Sequence, residues 1–160
     1  MPSATIRPAA PEDGEILARL NSLVQQLHVT RRPDYFKPTV LAEVAEWFRE
    51  GLGKPSVRAW IAEEGGAAVG YVLAVVRERP ASPFCHARSW CEIDQLAVAP
   101  GARRKGVARA LIARVIVESR AQRLSDVEAN SWSFNDEAHI TFRRLGFLPK
   151  TVRFEWHGPR

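Results

Sequence analysis

The sequence predicts one α/β domain of the α+β kind over residues 1–160. Three observations lead there. Strand-like apolar segments interleave with helical apolar stripes, in the order β-α-α-β-β-β-α-β-α-β. Three strand segments follow one another directly, which suits hairpins. No repeat and no linker interrupts a chain of 160 residues, long enough for a sizeable core.

Each element has its own warrant. Residues 3–8, "ATIRPA", form a short first strand. Residues 11–29 form a helix: Pro11 suits its first turn, acids follow, and Ile16, Leu17, Leu20, Leu23, Val24 and Leu27 share a face. Residues 30–38, "TRRPDYFKP", carry Pro near both ends and form a loop. Residues 39–52 form a second helix. "SVRAWIAEE", a Gly-Gly turn and "AAVGYVLAVVRER" form a hairpin. Residues 80–88 form a loop, and "SWCEIDQLAVA", 89–99, a fourth strand. Residues 103–123 read as a helix with Val107, Ala108, Leu111, Ile112, Val115 and Ile116 on one face. A strand over 125–132, a helix over 135–147 closed by Gly146, and a final strand over 149–157 complete the chain.

Composition narrows the function. No apolar run approaches the roughly 18 residues of a membrane span, and the N-terminus lacks the apolar core of a signal peptide. No membrane partner is expected. The only cysteines, Cys85 and Cys91, form no metal-type pair and make a poor disulfide framework, so the expectation is a cytoplasmic protein with reduced thiols and no metal. The net charge of +5 is uneven: residues 1–80 hold ten Lys/Arg and ten Asp/Glu, residues 81–160 thirteen and eight. A basic half suggests an anionic partner. Its cations are interrupted by apolar helical positions and form no tail, which favours a polyanionic small molecule over nucleic acid.

The anion has a place to sit. "DQLAVAPGARRKGVARALIARVI", 94–116, is a strand, a sharp turn, three cations, a glycine and a helix. That order presents free backbone N–H groups to phosphate. Gly106 has no Cβ and lets the backbone approach a ligand closely. A P-loop would need Lys-Ser/Thr directly after the glycine, where Val107 and Ala108 stand, and a dinucleotide fingerprint would need a third glycine.

These residues resemble the GNAT superfamily of acyl-CoA-dependent N-acyltransferases. Its central motif, Gln/Arg-x-x-Gly-x-Gly/Ala, is matched by Arg103, Arg104, Lys105, Gly106, Val107 and Ala108. A hydrophobic strand ending in Val-x-Pro precedes it, and Asn135, Ala138, Phe142, Gly146 and Phe147 match the later motif. The resemblance is tight over residues 90–148. It implies a mixed, mostly antiparallel sheet splayed between strands 4 and 5 at a bulge near Ala97, with helices on both faces. It implies acetyl-CoA as cosubstrate, its pyrophosphate on N–H groups from Arg104 to Arg109, with Arg103 alongside. Leu96, Ala97 and Val98 would run beside the pantetheine arm, with the Leu96 and Val98 backbone pairing with it. Asn135 would lie near the thiol end, though its position equally suits a helix N-cap. A homodimer is the family's habit.

Acyl transfer from a thioester to an amine requires amine deprotonation, stabilisation of an oxyanion and departure of a thiolate. The family's oxyanion donor falls on the Val98 N–H. Its histone-acetylating branch has a glutamate base six residues earlier, which is Glu92 here, with Asp94 close by. Strand alternation puts Glu92 and Asp94 on the face of Leu96 unless a bulge intervenes. Many relatives have a tyrosine acid where this chain has Phe142, so the proton for the thiolate would come from another group or from solvent; His139 lies one turn away. The acceptor site would draw on His28, Tyr35, Phe36, Phe84, His86 and Trp90, with Phe36 and Trp90 the foremost lining residues. The expected activity is acetyl transfer to a primary amine of a small molecule or peptide. A non-catalytic CoA-binding sensor is the alternative, because of Phe142, and a nucleic-acid module is a weaker one, on charge alone.

Overall fold

A computed structural model describes residues 4–124 and 126–158. Ser3 and Ser125, both expected in strands, lie outside the described residues. The chain forms two compact units, Met1–Asn130 and Ser131–Arg160.

The first unit holds β1 (Thr5–Pro8), α1 (Gly14–Arg31), α2 (Leu41–Leu52), β2 (Val57–Glu64), β3 (Ala67–Arg79), β4 (Arg88–Val98), α3 (Val107–Ala121) and β5 (Val127–Ala129). The strands lie in the order β1-β2-β3-β4-β5, all antiparallel neighbours except the parallel pair β4 and β5. β2 and β3 meet across a two-residue turn, with Gly65 and Gly66 at φ of 57° and 80°. Two positive φ values are what such a hairpin requires, and glycine supplies them without strain.

Alternation divides the sheet into two faces. Ala59, Ile61, Tyr71, Leu73 and Ala97 face α1 and α2, packing on Leu17, Ala18, Leu20, Ala45 and Phe48. On the other face Trp60, Ala62, Val72, Ala74 and Ile93 are buried, as are Val107, Leu111, Ile112 and Val115 of α3. Helices therefore cover both faces, as expected. Among the described residues no helix is long and apolar enough to cross a membrane.

The second unit holds α4 (Asp136–Arg144). Asn135 is its N-cap, with Oδ1 accepting from the Ala138 N–H at 3.2 Å. Gly146, at φ of 88°, ends it, and the Phe147 N–H returns to the Phe142 carbonyl. The strand expected over 149–157 is not formed: no strand pairs with it among the described residues, and an extended segment without a ladder is no strand. The helix expected from 103 begins only at Val107, because Arg104 and Gly106 adopt left-handed φ values of 60° and 84°.

Polar clamps fix where α1 begins. The Arg7 guanidinium on β1 donates to Asp13 at 2.8 and 2.9 Å and to Glu63 on β2 at 2.8 Å. Asp13 also accepts from the Ala10 N–H at 2.8 Å. The Arg7 hydrogen bonds hold the Asp13 carboxyl below the usual value of 3.8, against a smaller opposing effect of burial. Asp13→Ala should therefore destabilise the fold by about 1–2 kcal/mol near neutral pH. A lowered carboxyl pKa stabilises above the unfolded value and loses that contribution as pH falls through the folded one. Denaturant titrations should show the gap between variant and wild type narrowing as pH drops below 3.8.

Candidate active site

β4 carries one extra residue. Leu73 of β3 lies opposite Gln95, but Ala74 lies opposite Ile93, so Asp94 is the bulge. This corrects the expected position near Ala97 by three residues. The bulge changes the parity of everything beyond it. Below it, Cys91 pairs with Val127 and Ile93 with Ala129 of β5, and the Cys91 N–H donates to the Asp126 carbonyl at 2.9 Å. Above it, the Ala99 N–H donates to Val69 of the neighbouring strand segment at 2.8 Å. Antiparallel pairs alternate between bonded and non-bonded. Ala97 opposite Tyr71 is then a bonded pair. Leu96 opposite Val72 and Val98 opposite Gly70 are non-bonded pairs. The N–H and C=O groups of Leu96 and Val98 thus point away from β3, along an edge that β5 has already left at Ala129. This is the expected splay.

The same bulge sorts the side chains. Glu92 lies opposite Val75, on the α1/α2 face with Trp90, Gln95 and Ala97. Leu96 and Val98 lie on the α3 face, so Glu92 is on the other face from them, as expected where a bulge intervenes. Arg77 of β3 donates through Nε and Nη2 to one Glu92 oxygen at 3.2 and 3.0 Å, and its Nη2 lies 3.8 Å from Asp94. Burial pushes the Asp94 carboxyl above the usual carboxylate value; Arg77 opposes that, and Glu92 adds to it. Beneath these acids the buried Tyr71 hydroxyl donates to Gln95 Oε1 at 2.7 Å and accepts from Asn21 Nδ2 at 3.0 Å. Asn21 also donates to Gln95 at 3.3 Å. The network ties α1 to the residue that follows the bulge. Trp90 packs under the Arg88 guanidinium, 4.4 Å from its ring centroid, and Arg88 in turn pairs with Asp126 and Glu128. On the opposite face, burial pushes the Cys91 thiol up to about 11, away from reactivity.

A turn rich in cations, with Gly106 at its end, follows β4. Arg103 donates to the Val98 carbonyl at 3.2 Å, and Lys105 lies 3.9 Å from Glu64. The cations therefore sit in the turn ahead of α3 and not in its first turn, which carries no acid. The first intrahelical bond runs from the Ala110 N–H to the Gly106 carbonyl. The N–H groups of Val107, Ala108 and Arg109 have no carbonyl of their own helix to meet. A Cβ on Gly106 would meet nothing within 4 Å, so the turn presents an open backbone cradle. Gly70 sets its height: a Cβ there would stand 2.9 Å from the Ala97 carbonyl and 3.3 Å from Val107. Only a residue without Cβ lets β3, β4 and the start of α3 come this close.

Phe36 stacks on His28 at 4.7 Å and meets the Tyr35 edge at 4.9 Å. Burial lowers the His28 pKa from its ordinary value. Phe84 is 93% exposed at the tip of its loop. Phe142 packs on Phe147 at 5.3 Å within the second unit. Neither Arg77, the Tyr71–Gln95–Asn21 network nor Gly70 stands out from motif or spacing in the sequence. Gly70 left a trace, since a lone glycine inside a strand pattern marks a close approach.

A splayed α/β sheet with an N–H cradle after its fourth strand defines an acyl-CoA-binding fold. The chain belongs to the Acetyltransferase (GNAT) family, which matches residues 20–147. A tetramutant of the BH1408 protein from Bacillus halodurans shares the fold, with a TM-score of 0.90 at 22% identity over 96% of this chain and 99% of that one. The aminoglycoside N-acetyltransferase AAC(6')-Iy, solved in complex with CoA, superposes with a TM-score of 0.77 at 20% identity over 100% and 97% of the chains. In sequence, the spore coat polysaccharide biosynthesis protein SpsD of Bacillus subtilis (strain 168) is 26% identical over 112 residues. These are 70% of this chain but 35% of SpsD, so the chain spans about a third of that relative's length.

Gly106→Asp should place a carboxylate over the cradle and strain a left-handed turn. Acetyl-CoA affinity should fall by about 2 kcal/mol or more, the scale of a disrupted charge-assisted contact. Calorimetric titration reads this directly; an unchanged Kd would mean that the pyrophosphate binds elsewhere.

Proposed function

We propose that this protein transfers the acetyl group of acetyl-CoA to a primary amine of a small molecule or peptide, at the open edge of β4. The observation that carries the reading is the direction of the Leu96 and Val98 backbone groups, away from β3 and beyond the end of β5. Such an edge pairs with an amide-bearing arm as it would with another strand. The arm would run along Leu96, Ala97 and Val98. The phosphates would take the N–H groups of Arg104 to Arg109, with Arg103 and Lys105 beside them. The Val98 N–H would hold the charge that develops on the acetyl oxygen.

The acceptor arrives as an ammonium and must lose a proton. Glu92 takes it, with Arg77 fixing the carboxylate, and Trp90 and Phe36 line the acceptor's path. Asp94 is the rival base, because burial raises its proton affinity. Solved relatives include an aminoglycoside acetyltransferase and a ribosomal-protein-alanine N-acetyltransferase, names that fit amine acceptors of both kinds. Residues 29–38 hold one acid, Asp34, which is paired with Arg32 at 2.9 Å. That counts against a polycationic acceptor.

Glu92→Gln and Asp94→Asn should be compared across an amine panel. The base variant should lose about 10²-fold or more in kcat while still binding acetyl-CoA, and the low-pH limb of its rate profile should move. Full turnover in both variants would remove the carboxylates from the mechanism.

Phe142 supports the rival reading of a sensor without turnover, since it offers no proton. Phe142→Tyr should leave thiol release equal or higher, with a new limb near the tyrosine reference pKa of about 10. Silence of both proteins on every amine, with tight CoA binding, would establish the sensor instead.

A further inference from the structure

Beside the carboxylates of β4, Tyr71, Asn21 and Gln95 close a ring of hydrogen bonds. The Tyr71 hydroxyl donates to Gln95 Oε1 at 2.7 Å and accepts from Asn21 Nδ2 at 3.0 Å, and Asn21 Nδ2 also donates to Gln95 Oε1 at 3.3 Å. A hydroxyl has one proton, so it donates to only one of two amides, and the other must donate to it. The two amides therefore meet it with opposite ends. Opposite ends are left over: Asn21 Oδ1, which accepts, and Gln95 Nε2, which donates.

Both leftover ends are open to a ligand. Among the described residues the buried side-chain polar atom without a partner is Trp90 Nε1, so these two ends, also without one, reach the surface. Asn21 and Gln95 are nonetheless half-buried, where a hydrogen bond is stronger than in open water. Their anchored ends share one hydroxyl, so the free ends lie within reach of a single small ligand. Gln95 shares the α1/α2 face with Glu92 and Trp90, and Asp94 is close enough to act electrostatically on the Tyr71 hydroxyl.

We propose that Asn21 and Gln95 select the acceptor: a primary amine with a carbonyl on the adjacent carbon, as at the N-terminus of a peptide or in an amino-acid amide. This rests on the reading of the α1/α2 face as the acceptor's side. Asn21 Oδ1 accepts an N–H of the amine, and Gln95 Nε2 donates to the carbonyl oxygen. A plain alkylamine leaves the Gln95 donor unpaired in a half-buried site, which costs affinity. A hydroxyl in place of the carbonyl brings a proton of its own, which competes with the amine for Asn21. Tyr71 is a positioning residue: it fixes which end of each amide turns outward.

The test compares alaninamide, alaninol and isopropylamine, which differ only in what the amine-bearing carbon carries beside its methyl group. Thiol release is measured at saturating acetyl-CoA for wild type, Gln95→Glu and Tyr71→Phe. The amines differ in basicity, so the readout is the ratio of kcat/KM for alaninamide to that for isopropylamine, compared between proteins. Gln95→Glu keeps the oxygen that Tyr71 and Asn21 bind and turns the outward donor into an acceptor. Its ratio should fall about tenfold, the scale of a hydrogen bond replaced by an unpaired group. Tyr71→Phe leaves both amides but frees them to turn over, and its ratio should fall by less. Thermal melts check that both variants remain folded. A ratio unchanged in both variants, whether or not overall rates fall, overturns the proposal while acetyl transfer stands. So does a Gln95→Glu that penalises alaninol more than alaninamide. If wild type turns over none of the amines, the acetyl-transfer reading fails, and the amide pair is read by calorimetric titration of the same amines in the presence of CoA. Alaninamide should then bind tighter than isopropylamine in wild type and lose that advantage in Gln95→Glu. No advantage in wild type overturns the proposal.

Discussion

One extra residue in β4 governs the site. A strand of strict alternation would turn the Leu96 and Val98 backbone toward β3, satisfied and closed to any ligand. Asp94 adds one position, and those groups turn outward while the pairing of Cys91 and Ile93 with β5 is preserved. A bulge costs ladder bonds and must be held by its surroundings. Here Gln95, the next residue, is fixed by the buried Tyr71 hydroxyl and by Asn21 of α1. Burial, helped by the nearby Asp94 carboxylate and opposed by the Asn21 hydrogen bond, keeps that hydroxyl protonated far above ordinary tyrosine, so the clamp does not titrate in the working range of the protein.

The cations raise a second constraint. Positive charge in the first turn of a helix opposes the macrodipole. The left-handed backbone at Arg104 and Gly106 moves Arg103, Arg104 and Lys105 out of the helix into the turn before it. Two of them are spent on neighbours, Arg103 on the Val98 carbonyl and Lys105 near Glu64. The N–H groups of α3 stay uncovered, and Gly70 holds them close to the end of β4. Charge and backbone are thus placed side by side, without competing for the same turn.

Much of this was legible in the residues. Helical stripes gave α1, α2 and α3 their existence, and Gly65-Gly66 gave the hairpin its turn. Arg103 to Ala108 announced the cradle, because glycine and cations before a helix have a direct physical meaning. The bulge was misplaced, because nothing in "EIDQLAVAP" marks which residue is extra: a bulge needs no glycine, and its position is decided by what β3 and β5 pair with. Helix α3 was begun too early, because Arg104 in a left-handed turn is invisible to propensity. The strand over 149–157 failed for a different reason. Its alternation is genuine, but among the described residues no strand of the sheet pairs with it.

The parity change also bears on how the reaction would be divided. The N–H cradle at the start of α3 and the side chains of Leu96 and Val98 belong to the α3 face, where Val107 packs near Gly70. Glu92, Arg77 and Trp90 belong to the α1/α2 face. The open edge of β4 lies between them, and it alone touches both. An acyl group held along that edge would be met from one side by the chain that carries it and from the other by the amine and its base. Neither reactant would have to pass the other. A sheet can offer two independent binding faces to one reacting atom only at an edge, and β4 has a free edge above Ile93 only because β5 stops at Ala129.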